Sequence, residues 1–135
     1  MPYSQIQAVV TTLKLDNYEE FRFNNQTHQL IFSSQEDGAP IEFFKSTQLG
    51  GCDIYIWESL KSRGEDFLRA ALAHELAEIA IYDILFIKNK GDRSVTEKQS
   101  HLLALLYENK YEQENINESR REEFNIFRKE LRDTR

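Results

Sequence analysis

The sequence predicts an α+β fold: an N-terminal helix, a small antiparallel sheet of about four strands, then three helices, within a single domain spanning 1–135. Three observations predict it. The first residues repeat apolar side chains at helical spacing. From about 18 to 59, short runs rich in β-branched and aromatic residues are separated by turn signals. From about 64 to 133 the pattern is helical throughout. A helix, then strands, then a block of helices is the order of an α+β domain.

Each element has its own reason. Ser4 to Leu13 places Ile6, Val9, Val10 and Leu13 on one side of a short amphipathic helix. "FRF" (Phe21–Phe23) leads into "NNQT", a turn, and "HQLIFSS" (His28–Ser34) follows as the next strand. "QEDGAP" is a second turn, with Asp37-Gly38 and Pro40 as its breakers. "IEFFKS" (Ile41–Ser46) is the third strand, "QLGG" interrupts it, and "CDIYIWES" (Cys52–Ser59) alternates as the fourth. Strands this close together read as an antiparallel meander. The first long helix runs roughly from Glu65 to Ile87 and is ended near Gly91. "SVTE" reads as a capping box, with Ser94 as N-cap and Glu97 three residues on, opening a helix to about Tyr111. The last helix spans Ile116 to about Arg132, with Phe124, Ile126, Phe127 and Leu131 as its apolar side.

Composition narrows the function classes. With 40% hydrophobic and 30% charged residues, five glycines and two prolines, the chain has the make-up of a globular protein and not of a disordered one. A formal net charge of −6 argues against general nucleic-acid binding, which calls for a basic face. Cys52 is the only cysteine, so neither an internal disulfide nor a thiolate zinc site can form. With an opening stretch that lacks a basic n-region and a long apolar core, this predicts a cytoplasmic protein. The apolar run from Ala70 to Ile87 has the length of a membrane span, but it carries His74, Glu75, Glu78 and Asp83, which argues against insertion.

Those residues pose the functional question, because a charge in a greasy helix is costly unless paired or metal-bound. "HELAE" sets His74 and Glu78 four apart, hence one turn apart on one helix face, where both can ligate one metal ion. Glu75, on the neighbouring flank, is placed to act as general base on a water. The third ligand is expected from the next helix, where Glu97 and His101 are also four apart. Zinc is the first expectation. If both Glu97 and His101 ligate, the carboxylate-rich set favours iron or manganese. Ordinary alternatives stand beside each assignment: an ion pair of Glu78 with Arg69 or Lys88, the capping box for Glu97, and a packing role for His74 or His101. His28 has no acidic or thiol neighbour at ligand spacing, and Cys52 has no nearby basic residue to activate it.

"DIYIWESLKSRGEDFLRAALAHELAEIAIYD", followed by "EKQSHLLALLY", resembles the small zincin metallopeptidases of the ImmA/IrrE type. In that family an edge strand precedes a helix opening with "R-x-x-x-A-H-E-L-x-H"; Arg69, Ala73, His74, Glu75 and Leu76 fit it. A later helix supplies a glutamate and then an "F-A-x-x-L-L"-like run; Glu97, Ser100, Leu103, Ala104 and Leu106 roughly match. The family's second histidine is Glu78 here, and the likeness covers about Cys52 to Tyr107. The resemblance implies a metal-dependent hydrolase acting on a peptide or protein substrate laid along "DIYIWES". The alternative expectation is a non-catalytic metal- or calcium-binding regulatory protein, with calcium held by the "QEDG" turn and other acids.

Overall fold

The computed structural model describes residues 3–46 and 48–133. It contains α1 (Tyr3–Thr12), β1 (Tyr18–Phe23), β2 (Gln26–Ser33), β3 (Ile41–Lys45) and β4 (Cys52–Trp57). A 3-10 segment (Glu58–Arg63), α2 (Glu65–Lys88), α3 (Arg93–Asn115), a 3-10 turn (Glu118–Arg120) and α4 (Arg121–Asp133) complete it. The α+β class and the element order are those the sequence predicts.

The sheet is mixed, which corrects the expected antiparallel meander. Its order is β1-β2-β4-β3. β1 and β2 form an antiparallel hairpin, turned by Asn24 (φ 54°) and Asn25 (φ 62°), two residues that tolerate left-handed backbone. β2 then pairs with β4 in parallel, and β3 folds back antiparallel on the outside of β4. The apolar content explains the order. β4 supplies Ile54 and Ile56, both 0% exposed, and so belongs in the middle. β3 is short and carries Glu42 and Lys45, which suits an edge.

Leu30, Phe32, Ile41, Ile54 and Ile56 form the sheet's share of the core; α2 supplies Phe67, Leu68, Leu72 and Leu76. From Phe67 to Ala80 α2 is buried nearly all round, which makes it the central helix. Glu65 and Asp66 in its first turn suit the positive end of the helix dipole. At its far end Gly91 takes φ +81° and returns its N–H to the Phe86 carbonyl at 2.9 Å. Arg69 donates to the Val10 and Leu13 carbonyls, tying α1 to α2.

Two local expectations are corrected. The N-cap of α3 is Asp92, whose Oδ1 accepts from the Val95 N–H at 3.1 Å; Ser94 and Glu97 are exposed and form no capping box. Asp92 is the first oxygen-bearing side chain after the Gly91 turn, so it caps before Ser94 can. On α4, Phe124, Phe127 and Leu131 are buried, but Ile126 is 53% exposed, because it falls off the stripe the other three define. Phe124 and Phe127 pack on Phe67 at 5.2 and 5.4 Å between ring centroids. Arg120 clamps Asp66 through two bonds of 3.0 Å, fixing the entry to α4 against the start of α2.

Candidate metal centre

α2 and α3 are joined by the short 89–92 connection and run antiparallel. Asn89 bonds Thr96 and Gln99, Glu78 meets His101, and His74 meets Glu108, so contacts descend one helix as they climb the other. The buried stripe of α3 includes Thr96, Ser100 and Ala104, small residues that let the two helices approach closely. That approach brings His101 over the "HELAE" turn.

His74, Glu78 and His101 each offer a ligand atom, and these three atoms lie within 4.8 Å of one another. His74 Nε2 is 2.7 Å from Glu78 Oε1, and His101 Nδ1 is 3.2 Å from the same oxygen. The two imidazoles meet edge to face at 4.8 Å between centroids. Two histidines and a carboxylate are a donor set that zinc accepts in catalytic sites and that ferrous iron accepts in facial triads. The donors already sit near the spacing found around one ion, whose bonds are about 2.0–2.2 Å.

The other nitrogen of His74 faces a residue that sequence reasoning missed. Nδ1 lies 3.4 Å from Glu108 Oε1, within ion-pair distance but out of line for a hydrogen bond. Glu108 is 3% exposed and is held in turn by Arg128 at 3.2 Å. Arg128 also bonds Asn109 at 2.7 Å and lies 3.6 Å from Glu112. A carboxylate behind a metal-binding histidine orients the ring and raises its basicity. Burial opposes the charged imidazolium, but Glu108 and Glu78 outweigh it and raise the His74 pKa to about 9. The signal for Glu108 was present in the sequence: it stands seven residues after His101, two turns on along the same face, and continues the stripe of small residues Thr96, Ser100 and Ala104.

Glu75 is 1% exposed and lies in the walls of two spaces. One, of about 10 Å³, has room for a single water and touches His74, His101, Glu108 and Arg128. The other, of about 300 Å³, opens between α2 and β3 and is shared by Glu78, Ile41, Glu42 and Phe43. A third cavity, of about 480 Å³, lies beyond Phe43 and is lined by Glu78, Tyr82, Ser100 and His101. Glu97 is exposed on the wall of this third cavity and is not part of the ligand group.

β3, and not β4, is the strand beside the site. β4 is interior, so the expectation of a peptide laid along "DIYIWES" is corrected: the edge belongs to β3. In its antiparallel register with β4, the pairs Pro40–Trp57 and Ser46–Gly51 bond to each other, so residues 42 and 44 face β4 while Phe43 directs its backbone groups outward.

The remaining candidates find ordinary roles. His28 is a buried strut between β2 and β4, and burial pushes the Cys52 thiol pKa up, which leaves it a poor nucleophile. The acids of the "QEDG" turn do not join a group of three ligand atoms; among the described residues only His74, Glu78 and His101 do. Among the described residues, no helix is long and apolar enough to cross a membrane. Comparison with protein-family models, with curated proteins and with solved structures found no match to this chain.

Proposed function

We propose that the chain is a cytoplasmic, metal-dependent hydrolase of the zincin-like kind, acting on a peptide or protein. His74, Glu78 and His101 hold one divalent ion, with zinc the first candidate and iron or manganese next. The observation that carries this reading is the convergence of two imidazoles and a carboxylate from two helices. The family resembled uses two histidines on the first helix and a glutamate on the second. Here Glu78 and His101 exchange those places, so the set of donors is kept while its distribution changes. A bound ion supplies Lewis acidity toward a carbonyl and lowers the pKa of water. Glu75 accepts the proton of the attacking water, Glu108 holds His74 in orientation through Nδ1, and Arg128 holds Glu108. An extended peptide adds to the outer edge of β3 at Phe43, beside both larger cavities.

The near-complete burial of Glu75 favours a second reading, a non-catalytic metal-binding module on the same framework. One experiment separates the two. The purified chain is assayed for bound zinc, iron and manganese and for cleavage of a denatured protein substrate, alongside Glu75→Gln and His101→Ala. The hydrolase reading expects one ion per chain, loss of the ion in His101→Ala, and a Glu75→Gln variant that keeps the ion but loses at least about a hundredfold in rate. A full complement of metal with no cleavage supports the binding module. A chain that takes up no transition metal, or a Glu75→Gln variant of undiminished rate, ends the proposal.

A further inference from the structure

The two faces of the sheet are unequal. Along β2 and β4, buried residues alternate with part-exposed ones, so the helices cover one face only. On the uncovered face Asp37, Glu42, Phe44, Asp53, Tyr55 and Trp57 surround a cleft of about 390 Å³. That volume is within the range of ligand clefts, about 300–1,000 Å³.

Register explains the grouping. Phe44 pairs with Asp53 and Glu42 with Tyr55 across β3 and β4, so acids and rings alternate as on a chequerboard. Phe44 and Tyr55 meet edge to face at 6.1 Å, and the Trp57 indole N–H donates to the Asp37 carbonyl at 3.4 Å, which fixes the wall at that end. No lysine or arginine is among the lining residues. Asp53 Oδ1 is withdrawn from water and has no hydrogen-bond partner.

The chemistry selects the occupant. The acids do not converge at metal-ligand spacing, and three of the nine lining residues are aromatic, which is a poor lining for a divalent ion. Nucleic acid stacks on sheet-borne aromatics, but three carboxylates repel its phosphates. An organic cation satisfies both components, since ring faces attract it and carboxylates neutralise it. A guanidinium does this best, stacking flat on a ring while its fork bonds a carboxylate with two N–H groups.

We propose that this acidic–aromatic cleft, on the uncovered sheet face between β3 and β4, docks an arginine side chain presented by a basic segment of a partner protein. The cleft holds none of the ligand residues His74, Glu78 and His101; Phe44, Asp53, Tyr55 and Trp57 line this cleft alone, and Glu42 stands at the edge it shares with the space of about 300 Å³.

Trp57 is the only tryptophan, so its emission reports on this cleft. The intact protein is titrated with a short peptide alternating arginine and glycine, and in parallel with lysine and glutamate counterparts and with calcium chloride. The expected result is a saturable change with the arginine peptide that weakens with salt, a weaker one with lysine, and none with glutamate or calcium. Glu42→Gln and Asp53→Asn should each lower affinity about tenfold, the scale of one charged hydrogen bond. Phe44→Ala, at a ring already 53% exposed, tests the aromatic component without burdening the core. Absence of saturation with the arginine peptide, undiminished binding in all three variants, lysine binding as tight as arginine, or an equal response to calcium would each overturn the assignment.

Discussion

Replacing His28 with leucine tests the joint that places β3 beside the metal centre. His28 is 0% exposed. Its Nε2–H donates to the Phe23 carbonyl at 2.9 Å, and its Nδ1 accepts the Cys52 N–H at 2.9 Å. Both nitrogens are therefore satisfied only in the neutral ring. Through Cys52 the ring sets the start of β4, and β4 in turn carries β3. Leucine fills similar space but makes neither bond. Orphaning the Cys52 N–H costs about 1–3 kcal/mol, and losing the second bond about 1 more, so roughly 2–4 kcal/mol of stability should go. For a chain of this size that lowers Tm by on the order of 10 °C. A second consequence concerns pH. Burial pushes the His28 pKa below its ordinary 6.5, against a smaller opposing effect of the Phe23 bond. The unfolded chain then binds the proton more tightly, so wild-type stability is full above about 6.5 and falls as pH drops toward the folded value. His74 has the opposite sign in the metal-free protein: with its pKa raised to about 9, its contribution is full below 6.5 and lost as pH rises through 9. Of these two histidines only His28 contributes to the acid limb, which should be shallower in the variant. Gly51→Ala should damage the same joint from the other side, because a Cβ there would lie 2.3 Å from the Thr27 carbonyl oxygen and 2.5 Å from His28 Nδ1. Urea denaturation at several pH values measures all of this. A leucine variant within about 0.5 kcal/mol of wild type, a change expected only away from such features, or one with its acid limb intact, refutes the reasoning.

Two further predictions follow from the helices. Glu108→Gln should weaken metal affinity about 10–100-fold while His74, Glu78 and His101 remain, as expected for loss of the carboxylate behind a ligating histidine; chelator competition against zinc measures it, and an unchanged affinity removes Glu108 from the site. Asp92→Ala should cost about 1 kcal/mol and Ser94→Ala within about 0.5 kcal/mol, which thermal unfolding of the pair can rank; the reverse order would restore the capping box.

The parts of this molecule that local sequence dictates were legible, and those that depend on distant pairing were not. α2 announced itself because a run of alanine, leucine and isoleucine around "HELAE" has a helix's length and no breaker before Gly91. The Asn24–Asn25 turn was legible for the same reason. The place of β3 was hidden, because nothing within "IEFFKS" records that β4 would insert between it and β2. That choice is made by the burial of Ile54 and Ile56 and by the strut at His28, whose partner lies 24 residues on. Ile126 misled by composition, an apolar residue off the stripe of Phe124, Phe127 and Leu131.

The same distinction explains the site. His74, Glu75 and Glu78 share one turn, so their grouping is a property of the helix alone. Which of Glu97 and His101 completes the group depends on the rotation of α3, and no periodicity within "SVTEKQSH" sets that rotation. Two features fix it: the buried Thr96, Ser100 and Ala104, which must face α2, and the Asn89 contacts to Thr96 and Gln99 that lock the first turn. His101 then sits one residue beyond Ser100 and is turned toward Glu78, whereas Glu97, one residue past Thr96 and a turn earlier, is left at the exposed rim. About two and a half turns of stripe, from Thr96 to Ala104, therefore decide the ligand, and the same stripe, continued to Glu108, places the carboxylate behind it. A substitution that enlarges Ala104, which is 0% exposed, would force the helices apart and loosen the Glu108 contact to His74 and the His101 contact to Glu78 without altering a single ligand.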